Sequence, residues 1–356
     1  MRSPQSGALT SLTLNAWLCL AALGMTASCI GPRVTYRLHG IVTTPLGWKV
    51  TDSSRGFGEI FCATLTHLDP QQTDWGQCQQ YLDATVSEQP AAQADISREW
   101  RVLIVGGIFS KCFEDRNLIL FEQAKAHLEQ VHHITTVILP VGSADTPEQN
   151  AAVIADYLSR NPGKYIAVGH SKGAVDLMMA VQKYDAVQKN IRALVSVAGA
   201  IGGSRLIDFG DRAVIDGFEV AVASSGLGRC RIDDHGGVNS MRRSVRNEFL
   251  RQWSPPASLR SYSVVGVTDK DHVSKPLQLM WKLQTLYSLD QDSQMIAEEA
   301  VIPGAQFLGV AKADHWALAL PFSEYPDAKV RRKMEHNKFP RVALLEAIVR
   351  YIDTGH

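Results

Sequence analysis

The segment Tyr165-Ile166-Ala167-Val168-Gly169-His170-Ser171-Lys172-Gly173-Ala174 constrains the fold of this chain more than any other. A short apolar run enters Gly-x-Ser-x-Gly, and a second apolar segment, Val175 to Val181, follows it. That order predicts a strand, a sharp turn and a helix. A serine at such a turn is forced into a strained backbone conformation. The residues two before and two after it must be small to clear the neighbouring strand and helix. Gly169, Gly173 and Ala174 meet that requirement. The strain lifts the Ser171 hydroxyl above the sheet edge, and the new helix aims its N-terminus at the same spot, a setting suited to a nucleophile.

The surrounding pattern supports the same architecture. Val34 to Val42 reads as a strand, and Phe57 to Leu82 as a helical or irregular region. From Arg101 onward, strands and helices alternate. The strands are Val102 to Val105, Thr135 to Val141, Tyr165 to Val168, Ile191 to Val197, Ser261 to Val267 and Ala305 to Val310. Helical patterns cover Asn117 to Val131, Pro147 to Leu158, Gly173 to Tyr184, Leu277 to Leu289 and Val342 to Ile352. Near-continuous apolar strands separated by helices imply an α/β protein with a mostly parallel, doubly wound sheet covered on both faces. The alternation lapses between Gly199 and Pro256, so a cap or lid insertion is expected at about 200–258, after the strand that follows the nucleophile helix. Within it Ile215, Phe218, Val220, Val222 and Leu227 are candidates for core or for an acyl pocket.

The first 29 residues read as a targeting segment. Arg2 precedes an apolar run from Leu12 to Met25, which is interrupted by Asn15 and too short for a membrane span. Thr26-Ala27-Ser28-Cys29 resembles a bacterial lipobox. The expectation is an exported chain, periplasmic, secreted or membrane-attached through a lipidated Cys29; the alternative is an ordinary signal peptide cleaved nearby. Residues 30–100 then form an N-terminal segment packing on a domain at 101–356. An exported chain allows disulfides among Cys62, Cys78, Cys112 and Cys230. Three pairings are possible. Cys62 with Cys78 closes a local loop and is favoured, leaving Cys112 for Cys230. No metal or cofactor site is expected, because Cys-x-x-Cys is absent, no histidine pair stands at i, i+4 beside an acid, and the adjacent His132 and His133 point apart. With 36 basic and 36 acidic residues, and with Arg331-Arg332-Lys333 a short run that reads as a solvated face, nucleic acid is not an expected partner.

A serine hydroxyl is a weak nucleophile near neutral pH. It needs a general base, and that base needs an orienting group. On a strand–turn–helix nucleophile these partners arrive in loops after later strands, acid before histidine. His315, in Lys312-Ala313-Asp314-His315-Trp316, follows the last strand and is the expected base; His336 and His356 read as solvated. The acid is sought in Gly266-Val267-Thr268-Asp269-Lys270-Asp271-His272, where Asp271 is preferred and Asp269 is the alternative. Asp314 reads as a turn former. An oxyanion hole needs two backbone N–H groups. Lys172, whose side chain is expected to reach solvent, supplies one. Ile108, after the diglycine Gly106-Gly107, supplies the other.

Taken together, Val105-Gly106-Gly107-Ile108-Phe109, Gly169-His170-Ser171-Lys172-Gly173, Asp271 and His315 resemble the α/β-hydrolase superfamily on its lipase and esterase side. The run Ser196 to Ala200 and Asp314-His315-Trp316 are similar to those of bacterial exported hydrolases. The first loop differs from the usual His-Gly or Pro-Gly. The resemblance implies a serine hydrolase acting on small-molecule or lipid carboxylic esters through an acyl-enzyme. An acyltransferase with the same residues, or a binding lipoprotein of the same fold, are the alternatives.

Overall fold

A computed structural model describes residues 41–43, 47, 49–71, 77–83, 93–208, 210–228, 230, 236–334 and 338–355. The targeting segment with Cys29, most of the first expected strand, His336 and His356 lie outside them. Among the described residues nine strands form one sheet: β1 (Ile41–Thr43), β2 (Lys49–Asp52), β3 (Leu82–Asp83), β4 (Trp100–Val105), β5 (Thr136–Leu139), β6 (Lys164–His170), β7 (Ile191–Val197), β8 (Arg260–Gly266) and β9 (Gln306–Ala311). The order is β1-β2-β9-β8-β7-β6-β4-β5, with β3 also pairing with β9. From β2 through β5 every pair on this path is parallel; β1 and β3 join antiparallel. Residues 49–52 and 82–83 contribute β2 and β3 to the sheet.

The central strands are apolar on both sides because both faces are covered. Alternate residues of β4, β6 and β7 (Leu103, Val105, Ala167, Leu194) face helices Pro147–Arg160 and Lys172–Lys183 in one buried cluster. On the other face Tyr262 of β8 meets Tyr351 of the C-terminal helix Arg341–Asp353 edge-on, with ring centroids 6.2 Å apart. Phe57 of helix Ser54–Leu68 packs edge-on to the same Tyr351 at 5.9 Å. Helix Pro147–Arg160 starts where the sequence places it, because Thr146 and Gln149 form a reciprocal capping box with Pro147 in the first turn.

Two disulfides close the pairs expected: Cys62–Cys78 and Cys112–Cys230. The second ties the short helix Ser110–Glu114 to the stretch between β7 and β8. That stretch carries helices Arg205–Asp208, Asp211–Ser225, Gly236–Asn239 and Arg243–Gln252. In Asp211–Ser225, Ile215, Phe218 and Val222 are buried, as is Leu227 just beyond the helix, whereas Val220 faces solvent. The helical pattern expected to run to Leu289 stops early, at Gln284, and that early stop shapes the site. No helix among the described residues is long and apolar enough to cross a membrane.

Candidate active site

β6 runs into Ser171 and helix Lys172–Lys183 starts at once. Ser171 has φ 57° and ψ −126°, the strained conformation that the turn demands. The small residues are obligatory. A Cβ on Gly169 would lie 2.4 Å from the Ala174 backbone, and one on Gly173 would lie 2.1 Å from the Val105 carbonyl oxygen. The Ser171 carbonyl accepts from the Ala174 N–H at 3.2 Å and from the Ala200 N–H at 3.1 Å. The run Ser196 to Ala200 thus props the turn from below. Gly107 abuts the serine from the β4 side: a Cβ there would fall 2.6 Å from Ser171 Cβ. Gly107, Ile108, Ser171 and His315 line one narrow cleft.

His315 follows β9 and is almost fully buried. Its Nδ1 lies 2.7 Å from Asp292 Oδ2, and its backbone N–H donates to the Asp292 carbonyl at 2.8 Å. The carboxylate facing the imidazole is therefore Asp292, and the expectation of Asp271, or of Asp269 in its place, is corrected. Both of those residues are exposed. Asp269 accepts from the Asp271 and His272 N–H groups at 2.9 Å and pairs with the exposed His272 ring at 2.8 Å. These hydrogen bonds overcome the upward push of partial burial and lower the Asp269 carboxyl below its usual range. Asp269 is thus the stabiliser of its own turn.

Asp292 escaped the sequence because the loop holding it leaves β8, passes through helix Gln278–Gln284 and returns. Thr268 N–H donates to the Gln291 carbonyl at 2.9 Å, which brings the returning chain back to the end of β8. Gly266 makes the room, since a Cβ there would lie 2.9 Å from Asp292 Cβ. The carboxylate facing His315 thus sits at the end of the expected strand, but it is supplied from beyond the next helix. The available signal was Asp292-Ser293-Gln294-Met295, an Asx turn in which Asp292 Oδ1 accepts from the Gln294 and Met295 N–H groups at 2.9 and 2.7 Å.

Three further polar groups shape the site. His170 Nε2 donates to the His315 carbonyl at 3.0 Å, and the two rings lie 4.8 Å apart. Burial and the nearby His315 hold the His170 imidazole well below its ordinary pKa, so it stays neutral. Asp314 is the turn former expected, accepting from the Trp316 and Ala317 N–H groups, and it also binds Ser274 N–H at 2.8 Å. Burial raises its carboxyl above the ordinary value. The Lys172 side chain corrects another expectation. It is buried, not solvated, and its Nζ lies 2.8 and 2.9 Å from the two Asp176 oxygens. Asn150 donates to the same carboxylate at 2.8 Å. Burial pushes Asp176 up to about 6 against the lowering pull of Lys172 and Asn150. The first turn of helix Lys172–Lys183 is therefore pinned by an internal ion pair.

A second cavity, of about 30 Å³, adjoins the cleft across Ile108 and Gln294. Its walls include Phe109, Val214, Phe218, Met241, Met280 and Met295. Phe218 stacks on Phe109 at 3.7 Å and meets Trp316 edge-on at 5.5 Å. Helix Asp211–Ser225 thereby touches both the loop of Ile108 and the loop of His315. Gln294 Nε2 is buried without a hydrogen-bond partner.

The fold is that of the α/β-hydrolases. The chain is similar to the crystal structure of a metagenomic carboxyl esterase, with a TM-score of 0.74 and 28% identity over 90% of this chain and 97% of that one. It also aligns with a mature-form lipase of Bacillus licheniformis at a TM-score of 0.48 and 17% identity, over 64% of this chain and 89% of that one. No family model matches the chain, and no curated protein matches it significantly.

Proposed function

We propose that this chain is a serine hydrolase of carboxylic esters that works through Ser171, His315 and Asp292. The observation that carries the reading is a buried imidazole–carboxylate pair sharing a cleft with a serine held at φ 57°. The likeness to a carboxyl esterase over nearly the whole chain supports the same chemistry. Asp292 holds His315 with its proton on Nδ1, leaving Nε2 to take the proton of Ser171 as Oγ attacks the ester carbonyl. The Ile108 and Lys172 backbone N–H groups receive the oxyanion. Imidazolium then protonates the leaving alkoxide, and water releases the acyl group by the same steps in reverse. His170 supports the base by bonding its carbonyl while remaining uncharged, so it adds no competing cation beside the imidazolium.

The cavity beyond Ile108 receives the acyl group, under helix Asp211–Ser225 as a cap. Its volume of about 30 Å³ holds roughly two water molecules, which suits the short chain of an acetyl or propionyl group. The unpartnered Gln294 Nε2 donates to the bound ester. The two disulfides support action in an oxidising compartment outside the cytoplasm, with Cys29 as the lipid attachment point.

The test is Ser171→Ala, assayed with p-nitrophenyl esters from acetate to palmitate and labelled with a fluorophosphonate. Wild-type activity is expected to be highest on the shortest esters. The variant is expected to lose several orders of magnitude in kcat and all labelling. Esterase activity persisting in Ser171→Ala would overturn the assignment.

A further inference from the structure

A cluster away from the Ser171 cleft has the makings of a metal site. Helix Glu122–Gln130 presents His127, and the turn after it presents His132. Glu346 comes from the C-terminal helix packed alongside. His127 Nε2 lies 2.7 Å from Glu346 Oε2, His132 Nε2 lies 3.3 Å from Oε1, and the two rings are 5.2 Å apart. All three donor atoms fall within 4.8 Å of one another.

Each feature suits a borderline cation better than a simple ion pair. Both histidines turn the same nitrogen toward one point. His132 Nε2 is buried and lies 3.3 Å from Glu346 Oε1 without good hydrogen-bond geometry, so the carboxylate satisfies it only in part. A buried nitrogen held this loosely gains from a better-placed partner. Glu346 forms the floor at 1% side-chain exposure, while His127 and His132 stay 18% and 14% exposed. That geometry leaves an outer position open to water. Arg350 donates twice to Glu346 Oε1 at 2.7 Å, orienting the carboxylate with Oε2 toward His127. Two imidazoles, one carboxylate and one open position match zinc, whereas calcium and magnesium call for oxygen ligands.

We propose that His127, His132 and Glu346 bind one Zn²⁺, which staples the C-terminal helix to helix Glu122–Gln130. The signal was hidden in the sequence because the two histidines are five apart and the acid is more than two hundred residues away. The site is independent of the ester-hydrolysing residues.

The experiment strips the full-length protein of metal with a chelator and titrates it with zinc sulfate by calorimetry, alongside thermal melts. The expected result is one Zn²⁺ per chain and a higher Tm with zinc than without. His132→Ala, on a partly exposed side chain, is expected to fold as judged by circular dichroism and to bind at least about 100-fold more weakly. Ser171→Ala is expected to bind zinc like the wild type, which separates this proposal from the catalytic one. Lack of saturable binding by the wild type, or wild-type affinity in both His132→Ala and His127→Ala, would overturn the proposal.

Discussion

Replacing Asp292 by asparagine tests the chemistry most directly. Both carboxylate oxygens are occupied: Oδ1 accepts from the Gln294 and Met295 N–H groups, and Oδ2 meets His315 Nδ1. The side chain is fully buried, so solvent offers no alternative partner. In Asp292→Asn the two N–H donors hold the amide oxygen at the Oδ1 position, because the amide NH₂ there would face two donors. The NH₂ group is then forced toward His315 Nδ1 and donates to it. The imidazole must carry its proton on Nε2, the nitrogen that has to accept from Ser171. The shape survives and the tautomer is wrong. The expected fall in kcat is roughly 10⁴-fold, about 5.4 kcal/mol of transition-state stabilisation, with little change in fold by circular dichroism. Asp271→Asn and Asp269→Asn, on exposed side chains, should alter kcat/KM by no more than about twofold. The assay is steady-state hydrolysis of p-nitrophenyl acetate for all three variants at one pH. A large loss in Asp271→Asn, with Asp292→Asn active, would refute the reasoning.

Two further outcomes follow from the geometry. Gly107→Ala puts a methyl 2.6 Å from Ser171 Cβ. The loop must move away, and kcat should drop by at least the roughly 10²–10³ that loss of one oxyanion donor produces; a variant with normal kcat would exclude Ile108 from the oxyanion hole. His170 bears on pH. Its folded pKa lies below its unfolded value of 6.5, so below pH 6.5 the unfolded chain binds more protons than the folded one. Stability from this group is therefore full above pH 6.5 and declines as pH falls, by up to about 1.4 kcal/mol per unit until the depressed folded value is reached. Urea unfolding from pH 7.5 to 5 should show a shallower decline in His170→Gln than in the wild type; identical slopes would remove His170 as the source.

How legible the chain was depends on distance along it. Helix starts, parallel strands and the nucleophile turn are written in neighbouring residues, because strand burial and steric clearance act within a few positions. Ser171 needed only Gly169, Gly173 and the flanking apolar runs to be recognised. The loop carrying His315 follows the last strand directly, so it too was readable. The acid was not. The residues just after β8 include Asp271 and Asp269, whereas the chain travels through helix Gln278–Gln284 before Asp292 returns to lie on Gly266. Lys172 was misjudged for a related reason: its partner Asp176 lies one turn on in the same helix, but Asn150, which donates to that carboxylate from helix Pro147–Arg160, reaches the pair only once the two helices pack.

The sequence by itself therefore determined the α/β order, the strained serine and the histidine in the final loop, each through local sterics or chain order; it favoured Cys62 with Cys78 without fixing the pairing. Tertiary structure alone decided which carboxylate faces His315, what covers Ile108 and how His127, His132 and Glu346 meet. Those choices depend on where a loop or helix lands after the sheet has formed. A side chain's partner across the fold is set by packing and by the need of buried polar groups for a counterpart, and neither condition is visible in residues read one after another.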